Sequence, residues 1–166
     1  AAYLEWGTNC CTHFNGMWAF CIYDCRTNTC FASRDRLGVK PFYFCETDNF
    51  FAFASEQKAL VKGGLVDAKA SESAMADFLL DGALEREPQN FFEGIIELFP
   101  GNHLTYNLNT HTYTVQQYYN LADRVSTVNE FLSDKALSSL IWQELGDAVQ
   151  LRLRSDVEVG TCLSGG

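Results

Sequence analysis

Residues 17–33, with the sequence MWAFCIYDCRTNTCFAS, decide the fold of this chain. Two apolar, aromatic-rich runs at residues 17–23 and 29–33 lie on either side of a polar segment that contains Asp24 and Asn28. Two such runs joined by a short, turn-forming segment are typical of a β-hairpin. The stretch therefore predicts two antiparallel strands.

The same pattern occurs again further along the chain. Apolar runs at residues 42–45 and 50–54 flank a polar turn, and runs at residues 101–106 and 112–118 flank the turn at residues 107–110. Because the first two hairpins follow each other directly, we expect the first third of the chain to form one antiparallel meander. The last hairpin is expected after an intervening helical region.

Helical patterns lie around these strands. Residues 1–14 have amphipathic spacing that ends at residues 15–16, an Asn-Gly pair. Ser55 is expected to cap a short helix that ends at residues 63–64, because its hydroxyl can accept a hydrogen bond from an early helix amide. Another helix is expected over residues 71–82. Its apolar face contains Ala74, Phe78 and Leu79.

The pattern changes after the last hairpin. Residues 127–130, Thr-Val-Asn-Glu, have the form of a capping box, and apolar residues then recur at helical spacing. We expect this helix to lead into a short buried strand at residues 157–163. The change from hairpins to a long helix and a strand predicts two domains, residues 1–122 and residues 123–166. The apolar stripe of the helix consists of Leu137, Leu140, Ile141, Leu145, Ala148 and Val149.

The composition restricts the class of protein. With 166 residues, of which 47% are apolar, the chain can bury a core. The net charge of −9 and the pI near 4.7 argue against a nucleic-acid or anionic-membrane partner. No run approaches the roughly 20 apolar residues of a membrane span. The chain has seven cysteines, an odd number, and it is not a small domain that needs disulfide bonds for its stability. We therefore expect a reducing, cytoplasmic location.

Few residues have a pattern that indicates catalysis or metal binding. The three histidines lie far apart in the sequence. Cys10-Cys11-x-His13 lacks the usual ligand spacing and a second ligand pair, so no metal site is expected there. Asp35, which lies between two arginines, is expected to bond turn amides rather than to catalyse, with a pKa lowered by its arginine neighbours.

The strongest functional signal is Ser164-Gly165-Gly166, directly after the predicted strand. A strand that runs into such a turn brings several backbone N–H groups into one concavity, which can hold an oxyanion such as pyrophosphate. The turn lacks the lysine of a Walker loop. Because the chain has no initiator Met and stops within this turn, we expect it to be an internal fragment of a longer protein.

Several motifs together resemble the glutamine-hydrolysing asparagine synthetases, in the order of that family and across essentially the whole chain. They lie at residues 14–20 (FNGMWAF), 33–43 (SRDRLGVKPFY), 54–60 (ASEQKAL), 91–95 (FFEGI), 100–104 (PGNHL), 152–157 (RLRSDV) and 159–166 (VGTCLSGG).

The resemblance implies an α+β fold class. Residues 1–122 would be the second half of a class II glutamine amidotransferase domain, which is an N-terminal-nucleophile hydrolase with stacked antiparallel sheets in αββα layers. Residues 123–166 would be the first helix and strand of an α/β synthetase domain of the adenine-nucleotide-hydrolase-like, ATP pyrophosphatase type.

The resemblance also implies an ATP-dependent carbon–nitrogen ligase with glutamine as the amide donor and Mg²⁺ as cofactor. Aspartate, glutamine, ATP and water would give asparagine, glutamate, AMP and pyrophosphate, through an aspartyl-adenylate and channelled ammonia. Leu163 matches the family position that contacts adenine through its backbone. Ser164, Gly165 and Gly166 match the start of the pyrophosphate loop. No residue of this chain is expected to be catalytic, because the family's N-terminal Cys nucleophile would lie upstream of Ala1.

Other positions match the family without a catalytic role, and two alternative functions remain open. Arg34, Asp35 and the Ser55-Glu56 pair match framework positions near the domain interface. A related two-domain enzyme could use a different acceptor, because the residues that select the acceptor would lie beyond Gly166. The stretch could also be a catalytically inert remnant or partner-binding domain. The expected partners are the small-molecule substrates, without nucleic acid or membrane, and the resemblance is compatible with a homodimer.

Overall fold

The computed structural model describes residues 1–47, 50–82, 90–125 and 133–161. The chain divides into two compact units, Ala1–Ala122 and Asp123–Gly166. In its described part, the first unit consists mainly of strands and short helices, and the second consists mainly of one long helix.

The elements of the first unit follow in chain order. Its strands are β1 (Ala19–Asp24), β2 (Thr29–Arg34), β3 (Tyr43–Thr47), β4 (Phe50–Ala54), β5 (Ile96–Glu97), β6 (Asn102–Asn107) and β7 (Thr112–Gln117). Its α-helices are α1 (Ala2–Trp6), α2 (Gln57–Lys62) and α3 (Glu72–Asp81), and a 3₁₀ helix at Gly7–His13 follows α1. A further 3₁₀ turn spans Ala122–Arg124.

The strands form two antiparallel sheets, with the strand orders β1-β2-β6-β7 and β4-β3-β5. Ala19 lies opposite Arg34 in the first hairpin, Tyr43 lies opposite Ala54 in the second, and β6 and β7 form the third. The three predicted hairpins are therefore confirmed. The predicted single meander is wrong, because β2 pairs with β6 and the turn after β2 carries the chain into the other sheet.

A shared apolar core lies between the two sheets. Phe51 of β4 stacks on Tyr106 of β6 with ring centroids 4.5 Å apart, and Phe44 of β3 meets Tyr113 of β7 edge-on at 5.2 Å. Since burial contributes about 25 cal/mol per Å² of apolar surface, this core is the main force that holds the sheets together. Its fully buried members are Ala32, Phe42, Phe44, Leu98, Leu104 and Tyr106.

Each sheet also packs against helical structure on its outer face. Side chains alternate along β2, so Ala32 faces the shared core while Phe31 packs with the N-terminal helical segment. In the other sheet, Cys45 of β3 packs with Leu60 of α2. The first unit therefore has four layers, in the order helix, sheet, sheet, helix.

The first two predicted helices need correction. The N-terminal α-helix ends at Trp6 rather than at residue 14, because Gly7 leaves helical geometry at φ 58° and ψ −138°. The chain then continues as a 3₁₀ helix, which forms shorter-range bonds than an α-helix. The second helix is capped at Glu56 instead of the predicted Ser55, and the Glu56 side chain makes no capping bond. Glu56 holds the extended backbone of a cap position, with φ −137° and ψ 135°.

The helix α3 agrees with its prediction at both ends. Ser71 Oγ accepts a hydrogen bond from the Ala74 amide at 3.4 Å, and Gly82 ends the helix in the left-handed region at φ 67°. The predicted apolar face is less buried than its pattern indicates. Phe78 meets Phe91 edge-on, whereas Leu79 is largely exposed.

The described part of the second unit is dominated by α4 (Asp134–Arg152). Ser133 caps this helix, because its Oγ accepts a hydrogen bond from the Ala136 amide at 3.3 Å. The predicted capping box at residues 127–130 lies outside the described residues. The predicted apolar stripe of the helix is exposed at Leu140, Ile141, Leu145 and Val149.

The predicted buried strand at residues 157–163 is wrong over its described part, residues 157–161. These residues do not form a strand, and Val157 is 75% exposed. A strand gains its stability by pairing its backbone N–H and C=O groups with a neighbouring strand. Residues 133–161 contain no such neighbour.

Candidate functional site

The residues predicted to bind ATP lie outside the described part of the chain. These residues are Leu163, Ser164, Gly165 and Gly166. The described residues before them, 153–161, follow α4 and are exposed. The roles of these four residues therefore stay predictions.

Asp35 lies directly after β2 and organises the turn that leads to the second sheet. Its carboxylate accepts hydrogen bonds from the backbone N–H groups of Leu37 at 3.1 Å, Val39 at 3.0 Å and Lys40 at 2.9 Å. A fourth bond comes from the backbone N–H of Trp18 at 3.3 Å. The side chain therefore bonds turn amides, as the sequence predicts.

These amide bonds set the charge state of Asp35. Burial is the largest single effect and raises the pKa of the carboxyl, but the four amide bonds together outweigh it, so the pKa lies below its usual value. The predicted lowering of the pKa is confirmed. The predicted cause is wrong, because backbone amides lower the pKa and the arginine side chains on either side bond elsewhere.

Arg34 is the last residue of β2, and its guanidinium is buried. Nη1 donates to Glu97 Oε1 at 2.5 Å and to the Leu98 carbonyl at 2.8 Å. Nη2 donates to the Gly38 carbonyl at 2.9 Å, and Nε donates to the Lys40 carbonyl at 2.8 Å. Arg34 therefore connects the turn after β2 with the end of β5.

A second polar cluster lies on the helical side of the first sheet. Ser33 Oγ accepts hydrogen bonds from Cys11 Sγ and from Trp18 Nε1, both at 3.1 Å. The Tyr118 hydroxyl donates to the Arg34 carbonyl at 2.7 Å. Burial is the main cause that raises the pKa of Tyr118. These bonds satisfy polar groups that would be costly to bury alone.

Three buried or half-buried thiols of the first unit are poor nucleophiles. Burial raises the pKa of Cys11 to about 11 and that of Cys21 to about 12, and it also raises the pKa of Cys45. A nucleophilic cysteine must be a thiolate near neutral pH. These three thiols are therefore unsuited to nucleophilic catalysis.

The histidines make separate contacts. His103 Nε2 lies 3.1 Å from Gln116 Oε1, and His111 Nδ1 lies 3.1 Å from the Tyr106 hydroxyl. His13 stacks on an exposed tryptophan ring. The described residues contain no group of three His, Cys, Asp or Glu side chains that could hold a metal ion. Among the described helices, none has the length and apolar character needed to cross a membrane.

Arg34, Asp35 and Glu97 form what we call the polar centre. Glu97 was not among the residues predicted from the sequence, although it is the one charged residue within the apolar run at residues 95–99. A charge that becomes buried needs a partner of opposite sign. Because Arg34 and Glu97 already bond each other and Asp35 has its amides, the polar centre is suited to fixing the two sheets in place rather than to moving a proton.

A cleft of about 350 Å³ opens beside the turn after β2. It brings together residues from three of the motifs found in the sequence, at residues 14–20, 33–43 and 54–60. The motifs therefore meet at one surface of the first unit. The residues that line the cleft are Met17, Trp18, Ala19, Lys40, Pro41 and Ser55.

Comparison with known families identifies the class of this chain. Residues 1–119 match the family described as glutamine amidotransferase domain, and the chain belongs to that family. Residues 140–166 match the family described as asparagine synthase. The first match lies within the two-sheet unit, and the second begins within α4.

Named relatives match the chain along nearly its whole length. It is 34% identical over 165 residues to asparagine synthetase (glutamine-hydrolyzing) 3 of Bacillus subtilis, covering 99% of this chain and 26% of that protein. It is 35% identical over 166 residues to a protein of Methanocaldococcus jannaschii that is provisionally named asparagine synthetase (glutamine-hydrolyzing) 2. This match covers 99% of this chain and 31% of that protein. It is 28% identical over 166 residues to amidase chry2 of Gibberella zeae, and this match covers 100% of this chain and 24% of that protein. The chain thus spans about a quarter to a third of the length of these relatives.

Proposed function

We propose that this chain is part of a glutamine-dependent asparagine synthetase. The observation that carries the proposal is the order of the two family matches within one chain, a glutamine amidotransferase domain at residues 1–119 followed by asparagine synthase at residues 140–166. Two relatives with asparagine synthetase in their names match 99% of the chain and support the same conclusion.

The proposed reaction has two halves. In the first half, an N-terminal cysteine outside this chain attacks the amide of glutamine, and hydrolysis yields glutamate and ammonia. In the second half, aspartate attacks ATP to form aspartyl-adenylate and pyrophosphate, and ammonia then displaces AMP to give asparagine. Residues 1–122 would belong to the glutaminase domain, and residues 123–166 would begin the synthetase domain.

The finer fold assignment is part of this proposal. The first unit would be the second half of an N-terminal-nucleophile hydrolase, and its four layers support this assignment. The second unit would begin an α/β domain of the adenine-nucleotide-hydrolase-like type. Its match to asparagine synthase supports this assignment.

The ATP site would use the end of the chain. The Leu163 backbone would contact adenine, and the amides of Ser164, Gly165 and Gly166 would bond pyrophosphate oxygens. Glycine suits this role because phosphate can approach a backbone that has no side chain. Mg²⁺ would assist ATP as the cofactor, but no cluster of metal-ligating side chains lies among the described residues, and we assign no step to the ion.

An amidotransferase with a different acceptor is the second candidate. Amidase chry2 matches the whole chain at 28% identity, so this sequence pattern also occurs in a protein named for another activity. Such an enzyme would still release ammonia from glutamine. It would transfer the ammonia to a carboxylate other than that of aspartate.

Two further properties are proposed with this function. A cytoplasmic location is supported by the six described cysteines, which are all free, since thiols persist in a reducing compartment. A homodimer is proposed from the family resemblance alone. Sedimentation of the complete protein measures the oligomeric state directly.

Product analysis of the complete natural protein tests the proposal. With glutamine, aspartate, ATP and Mg²⁺, we expect asparagine, AMP and glutamate to form in equal amounts. Omission of aspartate should abolish AMP formation. Glutamine hydrolysis without asparagine, together with AMP formation that requires another carboxylate, would favour the second candidate. A protein that neither hydrolyses glutamine nor cleaves ATP to AMP would contradict both candidates.

A further inference from the structure

A small cavity lies between the two sheets, at the opposite end of β2 from the polar centre. Cys30, near the start of β2, lines this cavity, whereas Arg34 lies at the end of the strand. The cavity has a volume of about 180 Å³ and shares no lining residue with the cleft beside the turn after β2. Its lining residues are Cys30, Phe50, Phe51, Tyr106, Leu108 and His111.

The walls of the cavity are mostly aromatic and aliphatic. Phe51 and Tyr106 stack on each other with their planes 16° apart, so that wall is held in one geometry by the core. A dry apolar cavity of about 150 Å³ is large enough to bind benzene. This cavity is open to solvent on the side of the exposed His111, and its volume of about 180 Å³ leaves room for one aromatic ring with a small substituent.

One corner of the cavity is polar. The Tyr106 hydroxyl and His111 Nδ1 are 3.1 Å apart, and the two rings meet at an interplanar angle of 67°. His111 holds this position with a left-handed backbone at φ 52°, which few residues other than glycine adopt. Since Nδ1 is engaged with Tyr106, Nε2 of the imidazole remains to bond a ligand.

Glu46 lies close enough to affect Tyr106 electrostatically, but it is not among the residues that line the cavity. It lies opposite Phe51 in the β3–β4 register. Burial is the main cause that raises the pKa of Tyr106, and the charge of Glu46 raises it further. Glu46 Oε1 is buried without a hydrogen-bond partner among the described residues. Since His111 lines the cavity, a ligand that hydrogen-bonds to its Nε2 suits this corner better than a purely apolar one.

We propose that this cavity binds a small, single-ring aromatic molecule that carries a hydroxyl group. The ring lies against Phe50, Phe51 and Leu108, and the hydroxyl points to the polar corner at His111. The site is separate from amide transfer and does not depend on the proposed function. A phenol is the simplest ligand of this class.

Fluorine NMR of the full chain tests the proposal with 4-fluorophenol as the probe. We expect saturable binding with a Kd of about 1 mM, which is within the range open to a ligand of this size. Cys30→Leu fills the cavity and should weaken binding by at least about tenfold, because the added side-chain atoms occupy the ring position. Cys25→Leu is the matched control, because Cys25 is exposed in the β1–β2 turn and should leave binding unchanged.

His111→Gly tests the polar corner. It also provides a second test of the proposal that does not depend on whether Cys30→Leu folds. Glycine accepts the backbone of this exposed position, so the fold should be retained. Binding of 4-fluorophenol should fall several-fold, whereas 4-fluorotoluene, which has a methyl group in place of the hydroxyl, should bind this variant and the original chain equally. The proposal is overturned if the original chain shows no saturable binding, if Cys30→Leu binds as the original chain does, or if His111→Gly leaves the affinity for 4-fluorophenol unchanged.

Discussion

The guanidinium of Arg34 and the carboxylate of Glu97 form a buried ion pair that joins the two sheets, with Nη1 2.5 Å from Oε1. Arg34 ends β2 in the four-stranded sheet, and Glu97 ends β5 in the three-stranded sheet. The side chains are only 7% and 3% exposed, so solvent can stabilise neither charge. Each charge therefore depends on the other, and the loss of one partner should cost far more than the loss of a surface pair.

Glu97→Gln should lower the free energy of unfolding by about 3–5 kcal/mol, because it leaves the buried charge of Arg34 without a counter-charge. Urea denaturation measures this change. The exposed pair of Lys69 and Glu93, with its N–O distance of 2.7 Å, provides the control. Glu93→Gln should change stability by less than about 1 kcal/mol. Equal effects of the two substitutions would show that the buried pair has no special role.

Asp35→Asn should destabilise the fold by about 2 kcal/mol at neutral pH, because hydrogen bonds from four backbone amides to a charged acceptor are stronger than those to a neutral one. The pKa of Asp35 is lowered on folding. The charged side chain therefore contributes stability above its unfolded pKa of about 3.9, and this contribution is lost as the pH falls through the folded value.

Denaturation curves at neutral pH and at several values below about pH 4 should thus show a smaller loss of stability in Asp35→Asn than in the original chain. Asp67→Asn makes the same change at an exposed aspartate and should alter the stability at neutral pH by less than about 0.5 kcal/mol. Parallel profiles for the original chain and Asp35→Asn would rule out the proposed charge state of Asp35.

The sequence predicted features whose partners lie close together along the chain. The three hairpins follow from neighbouring apolar runs with turn residues between them, and the ends of α3 follow from Ser71 and Gly82. The pairing of β2 with β6 could not be predicted in this way, because it depends on which apolar faces share a core across a long stretch of sequence.

The same limit applies to the functional residues. The amide bonds of Asp35 could be predicted because three of their four donors lie within five residues of it, whereas Glu97 reaches Arg34 only through the packing of two sheets. Residues 163–166 could be recognised by their motif alone. A motif specifies the chemistry of a site, but the contacts of the site depend on the elements packed around it.

Alkylation by iodoacetamide at about pH 8 should modify Cys25 rapidly and Cys11 very slowly. Cys25 is exposed, whereas Cys11 is buried with its pKa raised to about 11. Relative to an ordinary thiol with a pKa of about 8.5, this shift lowers the thiolate fraction at about pH 8 by a factor of roughly 200. Peptide mass spectrometry measures both rates, and denaturant should make them similar. Equal rates in the folded chain would contradict the burial of Cys11.

Gly101→Ala should be much more destabilising than Gly64→Ala, although both glycines have φ 68°. A Cβ at residue 101 would lie 2.5 Å from the Tyr119 carbonyl oxygen, whereas a Cβ at residue 64 has no atom within 4 Å. Left-handed backbone alone costs about 1–2 kcal/mol for alanine. The backbone clash should bring the total for Gly101→Ala to about 4 kcal/mol. Thermal or urea unfolding measures both values, and a difference below about 1 kcal/mol would refute the close approach of the two backbones.

Gly166→Ala in the complete protein should lower asparagine formation by at least about tenfold, which corresponds to about 1.4 kcal/mol of transition-state stabilisation. The reason is that a methyl group in the proposed pyrophosphate loop keeps the anion away from the backbone amides. Glutamine hydrolysis should continue, because it belongs to the other domain in the proposed enzyme. Gly146→Ala makes the same change within α4, where a Cβ would meet no atom within 4 Å and alanine suits a helix better than glycine, so it should reduce asparagine formation less than twofold. If both variants kept full synthetase activity, the phosphate loop would have to lie elsewhere. If both lost synthetase and glutaminase activity together, the loss would reflect the fold rather than the binding of pyrophosphate.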